Sequence, residues 1–458
     1  MVCGCRFNCW GAMHMCRRPS SQKIRKVFCC SQATPLPLYK AVNTVIAMTS
    51  YQSQPDVAVI GGGPVGSYAA LHLAQKGIGV TVYEEHSEIG VPSHCAGHIS
   101  IRSLRSMGLY PLPDGIIENN FSVANFYSPQ GTKFSLHLSC PVTTAINRAK
   151  FDQYLAKQAK DSGVEFQMST RVESLLKRNG CVKGISIKQA DGSKVDVNSK
   201  VVFDAEGISS RLLRQAGLRT LDPRGLVYAV ETEIEGAQDT EMEAVEVYFG
   251  KNIAPGFYGW LIPRPDGTAK LGLATNKGDP RAYLKRLMTK HPVASKQLAK
   301  AKITSAGYHA ISLGGPIGKV YLDGFLAMGD CASQVKPTTG GGVIFGLTCA
   351  KEAANIATEA IQHGDVSAHA LQPYQKRCDE LLNFDVRIML RLRRFLDSLS
   401  DEKLDEMLRV VGKLGVDKAL SGVDEIDYQG KMLMSVAGKP SMWAALVYFG
   451  LLYLSANP

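Results

Sequence analysis

Five consecutive positions, Asp56-Val57-Ala58-Val59-Ile60, start with a charge and then run uniformly apolar, the pattern of a strand buried on both faces. The run passes directly into Gly61-Gly62-Gly63-Pro64-Val65-Gly66. Residues 67–76 then read as a helix with small residues early, and Gly77 and Gly79 end it. Val80-Thr81-Val82-Tyr83 is a second strand with Glu84 at its tip. Further along, Val201-Val202-Phe203-Asp204 and Phe325-Leu326-Ala327-Met328 repeat the buried-strand pattern, the latter followed by a helix over 343–361. Tyr258 and Trp260 alternate along another predicted strand, with residues 269–274 as its neighbour in one sheet. Downstream, Leu404, Met407, Leu408, Val411 and Leu414 recur at helical spacing, which marks a core-facing stripe.

The first unit has a specific chemistry. Gly61 permits a tight turn, Gly63 lets the backbone approach a pyrophosphate, and Gly66 lets the helix pack against the strand. The helix start offers free N–H groups and partial positive charge to phosphates. Glu84, 23 residues after Gly61, is placed to accept hydrogen bonds from a ribose diol. A glycine-rich turn without a ligand leaves that acid unexplained. This fingerprint alone does not choose between NAD and FAD.

A second motif does. Phe325-Leu326-Ala327-Met328-Gly329-Asp330 is followed by Pro337-Thr338-Thr339-Gly340-Gly341-Gly342. It resembles the second FAD motif of the glutathione-reductase and aromatic-hydroxylase type of flavoprotein. The resemblance implies that Asp330 binds the ribityl chain and that the helix start near Gly341 faces the flavin N1/C2 carbonyl edge. Negative charge collects there on reduction, and a helix N-terminus stabilises it. Residues 201–211 resemble the Asp-Gly segment of flavin hydroxylases, with Glu206 in the usual Asp position. Arg148 matches an FAD-contacting Arg of the same superfamily; a surface salt bridge is its other reading.

More specific pieces point to one family. Gly90-Val91-Pro92-Ser93-His94-Cys95 and Tyr258-Gly259-Trp260-Leu261-Ile262-Pro263, with Ile262 in place of the usual Phe, resemble the geranylgeranyl reductase family over about 56–382. The resemblance implies reduction of isoprenoid double bonds, most directly those of membrane lipid chains, by hydride from reduced FAD. It implies FAD contacts from Gly61, Gly63, Pro64, Gly66, Glu84, Glu85, Cys95, Ala96, Gly97, Arg148, Asp330, Gly341, Gly342 and Val343. Tyr258 and Trp260 would wall a cavity for a greasy chain; ordinary sheet packing is their other reading. An isolated alkene is a poor electrophile, so the reaction needs a proton donor and tight positioning. By family position Cys95 is a candidate donor or redox partner; a small buried hydrophobe is its other reading. His94 and His98 have i,i+4 spacing, but Pro92 and Gly97 argue for a loop, and no metal site is expected.

The expected architecture is α/β. A Rossmann-like FAD-binding domain of the glutathione-reductase/aromatic-hydroxylase type is assembled from 55–105, 142–220 and 315–365. An antiparallel-sheet substrate domain takes 106–141 and 221–314, and 366–458 is a helical C-terminal region.

Charge and cysteine usage change only the picture of the N-terminus. The net charge is +11, but residues 1–55 hold seven Lys or Arg and no acid, so the remainder carries only about +4. Nucleic acid is therefore not an expected partner. Six of the twelve cysteines, Cys3, Cys5, Cys9, Cys16, Cys29 and Cys30, fall in the same stretch, at no recognised metal spacing. Residues 1–54 read either as a targeting presequence or as an extension upstream of Met48, outside the fold in both cases. The apolar run 442–454 is too short to span a bilayer. Arg387, Arg391, Arg393 and Arg394 interleave with apolar residues just upstream. The arginines read as the solvated face of a packed helix or as a surface facing anionic lipid, and 442–454 as a core helix or one lying on a membrane. A cytoplasmic protein is therefore expected, with peripheral contact at the inner face of the cell membrane as the second reading; ferredoxin or NAD(P)H could each serve as electron donor. Two rivals share the architecture: a flavin monooxygenase of an apolar substrate, and a flavin-free prenyl-lipid carrier, against which the intact Gly61, Gly63, Gly66, Glu84 and Asp330 argue.

Overall fold

The computed structural model describes residues 54–189 and 191–456. The two readings of the N-terminal stretch and its cysteine spacing fall outside them. Each apolar run becomes a strand of one six-stranded sheet. Its order is Tyr321–Leu322, Phe325–Ala327, Val201–Asp204, Val57–Ile60, Val80–Tyr83 and Glu165–Gln167. The strands pair in parallel except for the terminal hairpin Tyr321–Leu322. Val57–Ile60 and its two neighbours are buried along their whole length, as helices on both faces require. The first helix is Pro64–Ala74, starting three residues earlier than the apolar pattern suggests. Proline at the first helical position explains this, since its missing N–H is an orphan there and its φ suits the helix. The helix packs against Val343–Gln362 and Arg148–Asp161.

The second large sheet has seven strands, in the order Lys302–Ser312, Leu226–Glu235, Thr268–Thr275, Gly259–Pro263, Ala244–Tyr248, Val123–Tyr127 and Lys133–His137. It is antiparallel except where Ala244–Tyr248 runs parallel to Val123–Tyr127. Thr268–Thr275 pairs with Gly259–Pro263, so the two strands are neighbours as their patterns predict. Tyr258 lies just before its strand rather than in it. His98 starts a short strand, His98–Ser100, paired to Thr143–Ile146. The His94–Gly97 segment before it is loop, so His94 and His98 do not share a helix face.

Beyond residue 366 the chain is helical. The long helix Ala368–Ser398 is followed by Asp401–Lys413, Val416–Leu420, Gln429–Val436 and Pro440–Ala456. Leu404, Met407, Leu408 and Val411 are buried in a cluster with Phe395, Met442 and Leu452. Among the described residues no helix is long and apolar enough to cross a membrane.

Candidate active site

A trough runs past the start of the Pro64–Ala74 helix. It consists of two cavities, of about 390 and 320 Å³, that share Gly63, Ala205 and Gly207 in their walls.

The first cavity is lined by Glu84, Glu85, His86, Arg171 and Val172 among others. Glu84 Oε2 accepts from the Gly62 N–H at 2.7 Å, and its Oε1 accepts from the His86 N–H at 2.9 Å. The acid therefore closes the glycine loop as well as facing the cavity. Glu85 is half exposed and reaches Arg171 at 3.7 Å. The glycines divide their work. A Cβ on Gly61 would lie 2.4 Å from the Ala205 carbonyl oxygen, and one on Gly66 would lie 2.0 Å from the Gly61 oxygen. A Cβ on Gly63 would meet nothing within 4 Å. Gly61 and Gly66 thus serve backbone packing, whereas Gly63 clears space in the trough.

The second cavity gathers Pro64, His94, Cys95, His98, Arg148, His309, Asp330, Gly341, Gly342 and Val343, from six separate stretches of chain. The Cys95 segment is pinned from two sides. Gly97, at φ +69°, accepts from the Ile146 N–H at 2.9 Å, and the Ala96 carbonyl accepts from Lys270 Nζ at 3.1 Å. The Gly97 N–H points at Cys95 Sγ, 3.5 Å away. Arg148, the first residue of its helix, is buried and paired with Asp152 at 3.0 Å. Burial works against its charge, but Asp152 and Cys95 more than offset this, and its pKa is raised. Of its two sequence readings the surface salt bridge is therefore the one corrected: the pair exists, but inside the trough. Asp330 opens onto the trough, which is itself deep; burial raises its pKa, with Arg148 opposing. His98 donates or accepts at Thr143 Oγ1, 2.7 Å away. Burial, and after it Lys336, lowers its pKa to about 4, so it is neutral there.

The helix Val343–Gln362 points its start into this cavity with no side-chain cap and no acid in its first turn, so its N–H groups remain for a ligand. The same holds for Pro64–Ala74. A Cβ on Gly342 would lie 2.7 Å from Asp330 Oδ1, and one on Gly341 would lie 2.7 Å from Lys336 Cε, so a side chain at either position would displace Asp330 or Lys336. A trough with two uncapped helix starts, an acid at each end and an open Gly63 fits a long diphosphate-bridged cofactor with a carbonyl-rich ring, which is FAD.

Tyr258 and Trp260 line neither of these two cavities. The Tyr258 hydroxyl donates to the Thr339 carbonyl at 2.9 Å, tying the second sheet to the glycine loop. Its ring stands edge-on to Trp260, centroids 5.9 Å apart. Trp260 is nearly enclosed, in a cluster with Phe121, Ile262, Ala274, Ala96 and Ile311. Its indole N–H donates to Glu231 Oε2 at 2.8 Å.

Several site residues lie beyond the motifs. Asp427 also lines the ring end, where its carboxylate accepts from Lys336 Nζ and from Ser103 Oγ, the latter at 2.5 Å. A pairing across 91 residues leaves no trace in local pattern. Asp204 ends an apolar strand fully buried, its Oδ2 without a partner, and burial raises its pKa. An acid closing the run Val-Val-Phe-Asp was a readable signal. Glu206 has a structural role: its Oε1 accepts from the Leu212 N–H at 2.6 Å and the Leu213 N–H at 3.2 Å, capping the helix Arg211–Ala216. Glu206→Ala should lower stability by about 1 kcal/mol with flavin stoichiometry unchanged, as thermal melts and flavin absorbance will show.

Comparison with known proteins agrees with this geometry. Residues 54–382 match the FAD binding domain family. Digeranylgeranylglycerophospholipid reductase 2 of Methanothermobacter thermautotrophicus is 34% identical over 393 residues, covering 84% of this chain and 97% of its own. The protein of the same name from Methanopyrus kandleri is 31% identical with the same coverage. A solved geranylgeranyl bacteriochlorophyll reductase-like protein from Thermoplasma acidophilum superposes with a TM-score of 0.77 at 26% identity, over 86% of this chain and 99% of its own. A flavin-dependent brominase superposes at 0.65 with 19% identity over 86% of this chain and 98% of its own, a likeness of fold alone. The chain is an FAD-dependent oxidoreductase and belongs to the digeranylgeranylglycerophospholipid reductase family of flavoproteins.

Proposed function

We propose that this chain saturates the double bonds of geranylgeranyl chains carried by membrane glycerophospholipids. The observation that carries the reading is the junction at the ring end of the trough. There Cys95, on a pinned loop, shares the cavity wall with Ile311, and the next residue, Ala96, packs on the apolar cluster of Trp260, Ile262 and Ala274. Such a wall aligns a prenyl chain and excludes water while the trough holds the cofactor. Reduced FAD supplies the hydride. Cys95 acts at the reacting face, with its sulfur oriented by Arg148 and the Gly97 N–H.

Access from a bilayer is the second part of the reading. The helix Pro440–Ala456 carries no charged residue and exposes Trp443, Leu446, Val447 and Leu451 along one side. Its other side, with Met442, Ala445 and Leu452, is buried. A helix apolar all round, with one face already covered, lies in a lipid interface. Arg387, Arg391 and Arg394 are exposed, while Arg393 is buried against Asp397 at 2.6 Å. These exposed apolar and basic side chains support peripheral contact with the inner face of the cell membrane. The electron donor is ferredoxin or NAD(P)H. Capping commits Glu206, which supports the reductase over a monooxygenase that would use this segment for a nicotinamide.

The test is direct. Protein reduced with dithionite is given geranylgeranylated phospholipid, and the lipid is read by mass spectrometry. Gains of two mass units per reduced bond are expected. No gain on any prenyl substrate sinks the reading, and rapid substrate-dependent oxygen uptake with NAD(P)H makes the protein a monooxygenase.

A further inference from the structure

Saturating an isolated double bond requires one hydride and one proton, and the groups at the trough do not yet name the acid. The second sheet does. In cross-strand register, Glu231 pairs with Gly307 on one side and Gly272 on the other, and Gly272 pairs in turn with Trp260. Directly opposed residues share one face of a sheet, so these four form a single row across it. The two glycines are gaps filled by rings from elsewhere. A Cβ on Gly272 would lie 2.2 Å from the Trp260 ring, and one on Gly307 would lie 2.3 Å from His94 Nδ1. The Glu231 carboxyl therefore rises between the Trp260 indole and the His94 imidazole, one residue from Cys95. His309, two residues along the strand from Gly307, faces the same way. Both histidines line the ring end of the trough.

Three buried polar atoms on this patch lack partners: Glu231 Oε1, His94 Nδ1 and His309 Nδ1. Buried polar groups are nearly always bonded, so three orphans in one place point to work done when substrate is present. The neighbouring charges are otherwise engaged. Lys270 is bonded to Glu118 at 2.5 Å and to two carbonyls, and Glu233 is bonded to Arg264 at 3.0 Å. Cys95 Sγ has Arg148 and the Gly97 N–H directed at it, which suits an acceptor rather than a proton source.

We propose that Glu231 is the acid that supplies the proton for alkene reduction, and that His94 and His309 carry it to the trough. As one alkene carbon takes hydride, the other takes a proton from the histidine relay, which is refilled from the Glu231 carboxyl. The Glu231 carboxylate left behind is held by the Trp260 N–H and regains its proton from water by the same route. Two electrons and two hydrogens are added, with none left over. Burial supports the assignment by raising the Glu231 pKa to about 8. Lys270 and Trp260 pull it down, while Glu233 and Glu118 push it up. Burial lowers His309 to about 4, with His94 and Arg148 adding to the effect, so this histidine passes protons while neutral.

The inference rests on the reductase reading, and two readouts separate the failures. Infrared difference spectra of the flavin-loaded protein without substrate should show a protonated carboxylic acid at pH 7. A component of that band should fade through about pH 8 and be missing in Glu231→Gln, while any contribution from the buried Asp204 stays. In Trp260→Phe, which removes the donor to the carboxylate, the fading should move to higher pH. In single turnovers of dithionite-reduced protein with prenyl lipid, Glu231→Gln should be slowed about 100-fold or more with lipid and flavin affinity unchanged. The wild-type rate should fall above pH 8. A component titrating near pH 8 that survives in Glu231→Gln, or a variant turning over at the wild-type rate, overturns the assignment. Absence of lipid reduction by the wild type fails the reductase reading instead, and the infrared band then still reports on Glu231.

Discussion

Gly63→Val should yield a folded protein that no longer holds FAD. Fingerprint glycines are usually replaced together, which confounds loss of cofactor with loss of fold. Here the structure separates them. Substitution at Gly61 or Gly66 drives a Cβ into backbone oxygens at 2.4 and 2.0 Å, and the strand–helix unit has to break. Gly63 has φ −62° and open space beyond its Cα, so valine is tolerated by the chain and intrudes only on the trough. It stands at the start of the Pro64–Ala74 helix, where a pyrophosphate needs close backbone approach. FAD affinity should fall at least about 100-fold, roughly 2.7 kcal/mol. Flavin-free variant and flavin-free wild type should melt within a few degrees of each other. Fluorescence titration of FAD and circular-dichroism melts measure both, and a yellow variant with undiminished affinity defeats the assignment of the trough.

The second large effect belongs to the C-terminal helix. Replacing Trp443, Leu446, Val447 and Leu451 with serine should abolish binding to phospholipid vesicles while leaving the flavin spectrum unchanged. These side chains are 61, 48, 60 and 63% exposed and lie on one side of Pro440–Ala456. Each contributes about 1–2 kcal/mol on entering an apolar phase, so losing four weakens partitioning by about three orders of magnitude or more. The core contacts of Met442, Ala445 and Leu452 are untouched, so stability should hold or improve. Co-sedimentation with vesicles reads the first effect and a thermal melt the second. Undiminished sedimentation removes this helix from the membrane contact.

Most of the cofactor site could be read from the chain because its parts are local. Gly61, Gly63, Gly66 and Glu84 belong to one strand–helix–strand unit, and Asp330 and Gly341 to another, so spacing alone carries their roles. The Tyr258 and Trp260 segment likewise announced a sheet with residues 269–274. What escaped depends on contacts between distant stretches. Glu231 is an ordinary acid in an alternating strand until Gly307 and Gly272 flank it in register. Glu206 stands in the usual Asp position of a flavin-hydroxylase segment, and only the position of Leu212 and Leu213 reveals a helix cap. Arg148 was balanced between surface and site, because burial is not written in a residue's immediate neighbours.

The buried pair of Lys336 and Asp427 also sets the order of events during synthesis. Lys336 precedes the glycine loop that faces the flavin ring, whereas Asp427 emerges from the ribosome 91 residues later. Until then the ammonium stands beside the trough without its counter-charge, a costly state for a group this enclosed. The residues lining the nucleotide half all lie at or before Leu212, although the strand Phe325–Ala327 and the helix Val343–Gln362 complete the layers behind them. The flavin-facing end of the trough is thus completed only once the helical region has folded back over it.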